Sequence, residues 1–273
     1  MIGDPSAEVS GFAPAGFGFD RLLASGPFFR VALVTRGDLR FVCKRPAPRF
    51  AEEHEALRAL DDEHEALVRL ERAMVAAPRS IARETDARGA YLVSTYVSGV
   101  ALATTSLDSA PSSEEAAARL VQSAFGALAD VHQAGVVHGD PSPGNVLLQG
   151  DSVVLIDFGL ARFSDAGEEL RPREVRGTVD YLAPEVARGE TNATFASDVF
   201  ALAATLNRVF TGKPPRPTAP SFAAALIVAA ESPPDPSALE SRVPGLGEAL
   251  ATRPTSRPSA REIARLPGRA PSW

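Results

Sequence analysis

The chain has 273 residues, enough for one large domain or two lobes around a sizeable core. Its net charge of −6 argues against a nucleic-acid-binding surface. No run of about 18 apolar residues is present to span a membrane, residues 1–19 lack the charged and apolar regions of a secretory signal, and the single cysteine, Cys43, excludes an intrachain disulfide. The compartment expected from these features is the cytosol.

In chain order, residues 1–19 read as an irregular segment containing Pro, Gly and Ala. Phe29–Thr35 and Leu39–Lys44 carry β-branched and aromatic residues on either side of Arg36-Gly37-Asp38, the pattern of two strands and a turn. Pro46-Ala47-Pro48 breaks the chain. From Phe50 to about Val75, Glu and Leu recur at helical spacing. That stretch contains a tandem repeat, with residues 51–60 echoed by 61–70. A ten-residue step turns a helix by about 280°, so equivalent residues of the two copies are expected on different faces of a continuous helix. Alternatively, Asp62 caps a second helix with Glu65 three residues on.

Ile81–Arg83 and Tyr91–Val97 read as strands about the turn Asp86–Gly89. Beyond Ser98 the pattern is mostly helical. Ser113–Ala134 is an amphipathic helix stopping at Gly135. A hairpin over Asn145–Ile156 follows, then a long loop to Glu185. Phe195–Phe210 is mainly apolar and predicts a buried helix, and Phe222–Ala230 and Ser259–Arg265 predict shorter ones.

The chain has 28 Lys and Arg residues, of which only Lys44 and Lys213 are lysines. A lysine kept against that bias is a candidate for a role that the wide planar fork of Arg does not fill. Lys213 sits in the loop Thr211–Pro215, whereas Lys44 ends a strand.

The acid and amide chemistry gathers in two motifs. His138-Gly139-Asp140-Pro141-Ser142-Pro143-Gly144-Asn145 is followed, twelve residues after Asn145, by Asp157 of Asp157-Phe158-Gly159. A carboxylate such as Asp140 can meet an attacking hydroxyl. An amide oxygen and a second carboxylate, Asn145 and Asp157, are the hard ligands that Mg²⁺ on phosphates prefers. Either motif alone is a weak signal. Together, with Val146–Leu148 after one and Val153–Ile156 before the other, they are specific.

Their order and spacing resemble the protein-kinase signature set, and the resemblance extends over residues of roughly 20 to 265. It implies an α+β, two-lobed protein kinase-like fold. Residues 20–97 would form an antiparallel sheet with one regulatory helix, and residues 98–273 a mainly helical lobe. ATP and Mg²⁺ would lie in a cleft near Ser94–Ser98, with Thr95 and Val97 among the nucleotide-binding residues. By the same resemblance Asp140 is the base that takes the substrate hydroxyl proton, and Asn145 and Asp157 hold the metal. Lys44 contacts the α/β-phosphates with Glu63 as its partner (Glu65 and Glu53 being rivals). His138 is a packing residue beside Phe158.

Residues 23–31 occupy the place of a Gly-rich phosphate loop, but only Gly26 survives of three glycines, with Ala24 and Phe29 at the other two and Pro27 removing an N–H. A stiff loop with weaker phosphate contacts is expected. Val31, Val42 and Leu147 suit the walls of an adenine site. Ser142 stands where Ser/Thr kinases usually carry Lys, and Gly139 where many carry Arg.

Downstream, Gly177–Glu185 resembles the substrate-docking segment of Ser/Thr kinases and includes Thr178. Asp198 resembles the residue that binds catalytic-loop N–H groups, and Arg257 the one that pairs with Glu185. The expected activity is ATP-dependent Ser/Thr protein kinase, with a protein substrate, no nucleic acid, no membrane anchor, and an oligomeric state on which the sequence is silent. The alternatives are a pseudokinase scaffold, suggested by the eroded glycine loop and Ser142, and a small-molecule or sugar kinase, suggested by the His-Gly-Asp form. The Gly-Thr to Ala-Pro-Glu segment separates protein kinases from the latter. Between Ser164 and Thr178 there is no Ser, Thr or Tyr, so activity is expected without phosphorylation of that segment. Mass mapping of the purified protein should find no stoichiometric activating phosphate there, and one at Ser164 would contradict the expectation.

Overall fold

The computed structural model describes residues 12–104, 113–165 and 175–267. Strand pairing accounts for the first part of the chain. Phe29–Arg36 (β2) and Leu39–Pro46 (β3) form a hairpin through Gly37, whose φ of 60° suits glycine at the turn. Gly18–Ser25 (β1), Ser80–Asp86 (β4) and Gly89–Thr95 (β5) complete an antiparallel sheet in the order β1-β2-β3-β5-β4.

Because side chains alternate, directly paired residues share a face. The register pairs Val31 with Lys44 and Leu33 with Val42 on one face, and Ala32 with Cys43 and Val34 with Phe41 on the other. The second face is a core cluster of Phe12, Ala32, Val34, Phe41, Cys43, Tyr91 and Val93. Burial pushes the Cys43 thiol up to about 12, so it acts as a small apolar group.

The irregular segment expected over residues 1–19 ends earlier than that. Residues 1–11 lie outside the described residues, but β1 already starts at Gly18. Phe12 is buried in the core cluster, and the Phe17 ring meets Phe41 edge-on at 5.4 Å. The segment is held by a tertiary clamp. The Arg45 guanidinium donates through Nε to Phe12 O (2.9 Å) and through both terminal nitrogens to the Asp86 carboxylate, with Nη1 at 3.0 Å from Oδ1.

His54–Arg72 forms one continuous helix, α1, so the repeat does not break into two. Its buried residues are Ala56, Ala59, Leu60, Glu63, Ala66, Leu67 and Leu70. The expectation that the two copies use different faces is only half met. Glu53 is exposed and Glu63 buried, yet Ala56 and Ala66, and Leu60 and Leu70, are buried in both copies. An apolar stripe wider than about 100° absorbs the offset of roughly 80° between copies.

Contacts divide the chain into two compact units. One comprises the residues up to Glu71 with Ala77–Val97, and the other Arg72–Ala76 with the residues from Ser98 onward. In the second, Glu114–Gln133 (α2) starts at Ser113, whose side chain accepts from Ala116 N, and gives way to Gly135 at φ 74°. Val136–Val137 (β7) pairs with Arg162–Phe163 (β10). Val146–Gln149 (β8) forms a hairpin with Ser152–Leu155 (β9), and Val100–Ala101 (β6) adds to β8. The two-residue strands β6, β7 and β10 were not expected, since two residues carry no periodicity.

Pro184–Ala187 (α3) precedes Phe195–Thr211 (α4), which opens on a Thr194/Ser197 capping box, closes on Gly212 in the left-handed region and is buried nearly all round. Phe222–Glu231 (α5), Ser237–Arg242 (α6) and Ala260–Ile263 (α7) are the last α-helices among the described residues. Among the described residues no helix is long and apolar enough to cross a membrane.

The Arg45 hydrogen bonds hold the Asp86 carboxyl below its ordinary range. A depressed carboxylate adds stability above its unfolded pKa, about 4, and loses it as pH falls through the lower folded value. Thermal unfolding followed against pH should show Asp86→Asn less stable than wild type at pH about 7 and less steeply destabilised towards pH about 2. An unchanged acid slope would show that the clamp does not stabilise the fold.

Candidate active site

Two sets of site residues form, one in each unit. In the first, Lys44 lies near the end of β3 and is 8% exposed. Its Nζ sits 2.8 Å from Glu63 Oε2. Glu63 is thus the partner among the three glutamates; Glu65 instead pairs with Arg69 at 2.8 Å and Glu53 is exposed. Nineteen residues separate Lys44 and Glu63, and α1 turns Glu63 inward on the stripe that buries Leu60 and Leu67.

Register puts Val31, Val42 and Ala24 on the same face as Lys44, because Ala24 pairs with Val31. Thr95 does not join them. It pairs with Phe41, its N–H donates to Arg79 O (2.9 Å) and its hydroxyl accepts from Arg79 N (2.9 Å). Ser94, paired with Val42, is on the Lys44 face instead. Val97 is half-buried at the end of the unit.

The turn between β1 and β2 is tied down. Gly26 N donates to Phe29 O, Ala47 N to Phe28 O (2.7 Å) and Arg49 Nη2 to Pro27 O, and the Phe28 ring lies 5.0 Å from Phe50. The Phe29 ring carries the Lys44 ammonium over its face at 5.0 Å, a cation–π contact that a glycine there does not make.

In the second unit, a buried carboxylate organises the loop 138–145. Asp198, at the start of α4, is 1% exposed. It accepts from His138 N (2.7 Å) and Gly139 N (2.9 Å), and the His132 ring nitrogen lies 3.0 Å away. Thr205, further along α4, donates to Pro141 O at 2.9 Å. His138 is fully buried, with its ring 4.6 Å from Phe158. Its Nε2 must carry the proton, because it faces Ile156 O at 3.1 Å, leaving Nδ1 to accept from Asp140 N at 3.3 Å.

Gly139 has φ 85°, and a Cβ there would stand 2.3 Å from Leu160 O. The residue that replaces the familiar Arg is therefore one that only glycine fits in this backbone.

Asp140 accepts from Thr178 N (3.3 Å) and Thr178 Oγ1 (3.0 Å), and Thr178 Oγ1 is also 3.0 Å from Ser142 Oγ. Burial raises the Asp140 pKa above its ordinary value, against the lowering influence of the Thr178 hydrogen bonds. Asn145 Nδ2 donates to Asp140 O (2.9 Å), which leaves the amide oxygen as the side chain's remaining ligand atom. Ile156 N donates to Asn145 O (2.9 Å), so the β8–β9 hairpin brings Asn145 and Asp157 to the same end. Asp157 has φ 61°, an uncommon backbone state for a residue other than glycine. Leu147, in β8, is 7% exposed.

Among the described residues no group of three His, Cys, Asp or Glu side chains forms a metal cage. An amide oxygen and one carboxylate fit Mg²⁺ that keeps most of its shell from phosphates and water.

The 175–187 segment is clamped at two places. Glu185 accepts from Arg257 through both oxygens, at 2.6 and 2.8 Å, with Arg257 8% exposed. Arg216, 4% exposed, donates to the carbonyls of Val179, Asp180, Leu182, Ala229 and Ser232. Burial lowers its pKa to about 10. Both guanidiniums lie over the Phe200 ring, at 5.4 and 4.9 Å. Arg216 and His132 were not foreseen. Arg216 is one arginine in a Pro-rich run, and no local pattern marks it. Of the loop expected to activate without phosphorylation, residues 166–174 lie outside the described residues.

A sheet carrying a buried Lys–Glu pair, with an Asp-Asn-Asp set on a loop and hairpin tied to a buried Asp, is the architecture of a protein kinase. The protein kinase domain family matches residues 25–267, and the chain belongs to that family. Over 128 residues it is 38% identical to serine/threonine-protein kinase PknB of Mycolicibacterium smegmatis, a match spanning 46% of this chain and 20% of that protein. Over 168 residues it is 31% identical to probable serine/threonine-protein kinase PknB of Lactococcus lactis, spanning 61% of this chain and 27% of that protein. The chain thus spans only a fraction of the length of the curated relatives it matches. Among solved structures it is similar to the Mycobacterium tuberculosis PknI kinase domain, with a TM-score of 0.62, 26% identity, and coverage of 92% of this chain and 94% of that one.

Removing one partner of a buried ion pair leaves an uncompensated charge and costs about 3–5 kcal/mol. Glu185→Gln should lower stability by that order in urea unfolding, while Glu185→Leu combined with Arg257→Met should recover part of it. A Glu185→Gln midpoint equal to wild type would show that the clamp carries no load.

Proposed function

We propose that the protein transfers the γ-phosphoryl group of Mg-ATP to a Ser or Thr hydroxyl of a protein substrate. The observation that carries this reading is the Asp140–Thr178 contact. It joins the carboxylate suited to accept a hydroxyl proton to the segment that resembles the substrate-docking region of Ser/Thr kinases. Membership of the protein kinase domain family supports it.

Asp140 accepts the proton of the attacking hydroxyl, and its burial favours that uptake. Asn145 and Asp157 would hold Mg²⁺, which when bound neutralises charge on the phosphates. Lys44, kept in place by Glu63, would meet the α/β-phosphates. The Lys44 face of the sheet, with Ala24, Val31 and Val42, together with Gly26, Leu147, Thr95 and Val97, is assigned to the nucleotide; for Thr95 this means backbone rather than side-chain contact. Thr178, Glu185, Asp198 and Arg257 hold the docking segment and the loop. The reading includes a cytoplasmic location, where Mg-ATP is abundant and a free buried thiol is stable.

Intact-mass analysis after incubation with Mg-ATP and a generic basic protein tests this reading. The wild type should add phosphoryl groups to that protein. Asp140→Asn and Asp157→Ala should add none while unfolding normally. No addition by wild type would point to a scaffold. Phosphorylation of a metabolite but no protein would point to a small-molecule kinase.

A further inference from the structure

Ser142 is the one polar side chain at the Asp140 loop that this reading leaves without a role. It is 4% exposed, and its hydroxyl lies 3.0 Å from Thr178 Oγ1, which is itself 3.0 Å from Asp140 Oδ2. The directions of these two bonds are not free. A carboxylate only accepts, and a hydroxyl owns a single proton. Thr178 must spend its proton on Asp140, so its oxygen is the acceptor towards Ser142, and Ser142 is the donor. The chain runs one way, from Ser142 through Thr178 to Asp140.

Thr178 N reaches the other Asp140 oxygen at 3.3 Å, so residue 178 grips both oxygens. Donation by Ser142 into the Thr178 oxygen polarises the Thr178 O–H and strengthens its bond to Asp140. The loop carrying Ser142 is itself fixed by Asp198 and Thr205. The hydroxyl of Thr178 is thus oriented from a rigid base. Ser142 supplies a donor with no charge.

We propose that Ser142 is a positioning residue. By donating to Thr178 it holds the Thr178 hydroxyl on Asp140, so that the carboxylate keeps one orientation towards the substrate hydroxyl. This rests on the protein kinase reading above.

The test combines two readouts in wild type, Ser142→Ala and Ser142→Thr. The first is the Thr178 side-chain rotamer, from three-bond NMR couplings, which needs no turnover. One rotamer is expected in wild type and Ser142→Thr, and averaging in Ser142→Ala. The second is kinetic. Losing one neutral hydrogen bond should lower kcat of Ser142→Ala about 3- to 10-fold, with KM for ATP unchanged, and Ser142→Thr should restore it. Thr178→Val should lose at least as much, and adding Ser142→Ala to it should change nothing further.

A single Thr178 rotamer in Ser142→Ala would overturn the inference, as would full additivity of the two losses. If wild type transfers no phosphoryl group, the kinase reading fails, and the rotamer measurement still decides whether Ser142 holds Thr178.

Discussion

The site depends on one buried carboxylate. Asp198 sits at the start of α4, almost wholly out of water, and its oxygens are met by the N–H groups of His138 and Gly139 and by the His132 ring. An isolated carboxylate in such a place would be strongly disfavoured, so its partners and its burial require one another. The loop cannot leave without orphaning the carboxylate. The carboxylate in turn is carried by a helix buried nearly all round. Through this contact the packing of α4 sets where Asp140 begins.

The second constraint is the backbone of the 175–187 segment. Phe200, fully buried on α4, has two arginines over its ring. One of them meets a carboxylate and the other meets carbonyl oxygens. The Arg257–Glu185 bond is bidentate, the geometry in which a guanidinium binds most specifically. Arg216 reaches five carbonyls, so its charge is solvated by protein dipoles in place of water. Its lowered pKa records the incompleteness of that exchange. Just ahead of both clamps Thr178 meets Asp140, which joins the loop to the segment proposed to meet the substrate.

In the first unit the organising element is the sheet register. A period of two decides that Val31, Val42 and Lys44 share a face and that Thr95 does not. Ends of strands are where sequence patterns are least informative, and Thr95 stands at such an end. Phe12 and Phe17 show the same limit. Both precede the first strand, yet Arg45, more than thirty residues on from Phe12, fastens Phe12 into the core.

Local chemistry made the elements and the grouping of Asp140, Asn145 and Asp157 readable from the chain alone. Alternating β-branched residues, a helical stripe, caps and glycine stops are short-range signals. The order of Asp140, Asn145 and Asp157 needs only the hairpin that follows. The choice of Glu63 over Glu53 and Glu65 was legible as spacing and became a contact only because α1 buries the face that carries Glu63. Gly139 was visible as a missing side chain, but the reason for it, the carbonyl of Leu160 against its α-carbon, required the fold. Arg216, His132 and the Ser142–Thr178–Asp140 chain belonged wholly to the folded state. Their bonds join residues up to 66 positions apart, and no pattern of neighbours along a chain encodes which distant carbonyl or hydroxyl a side chain will meet.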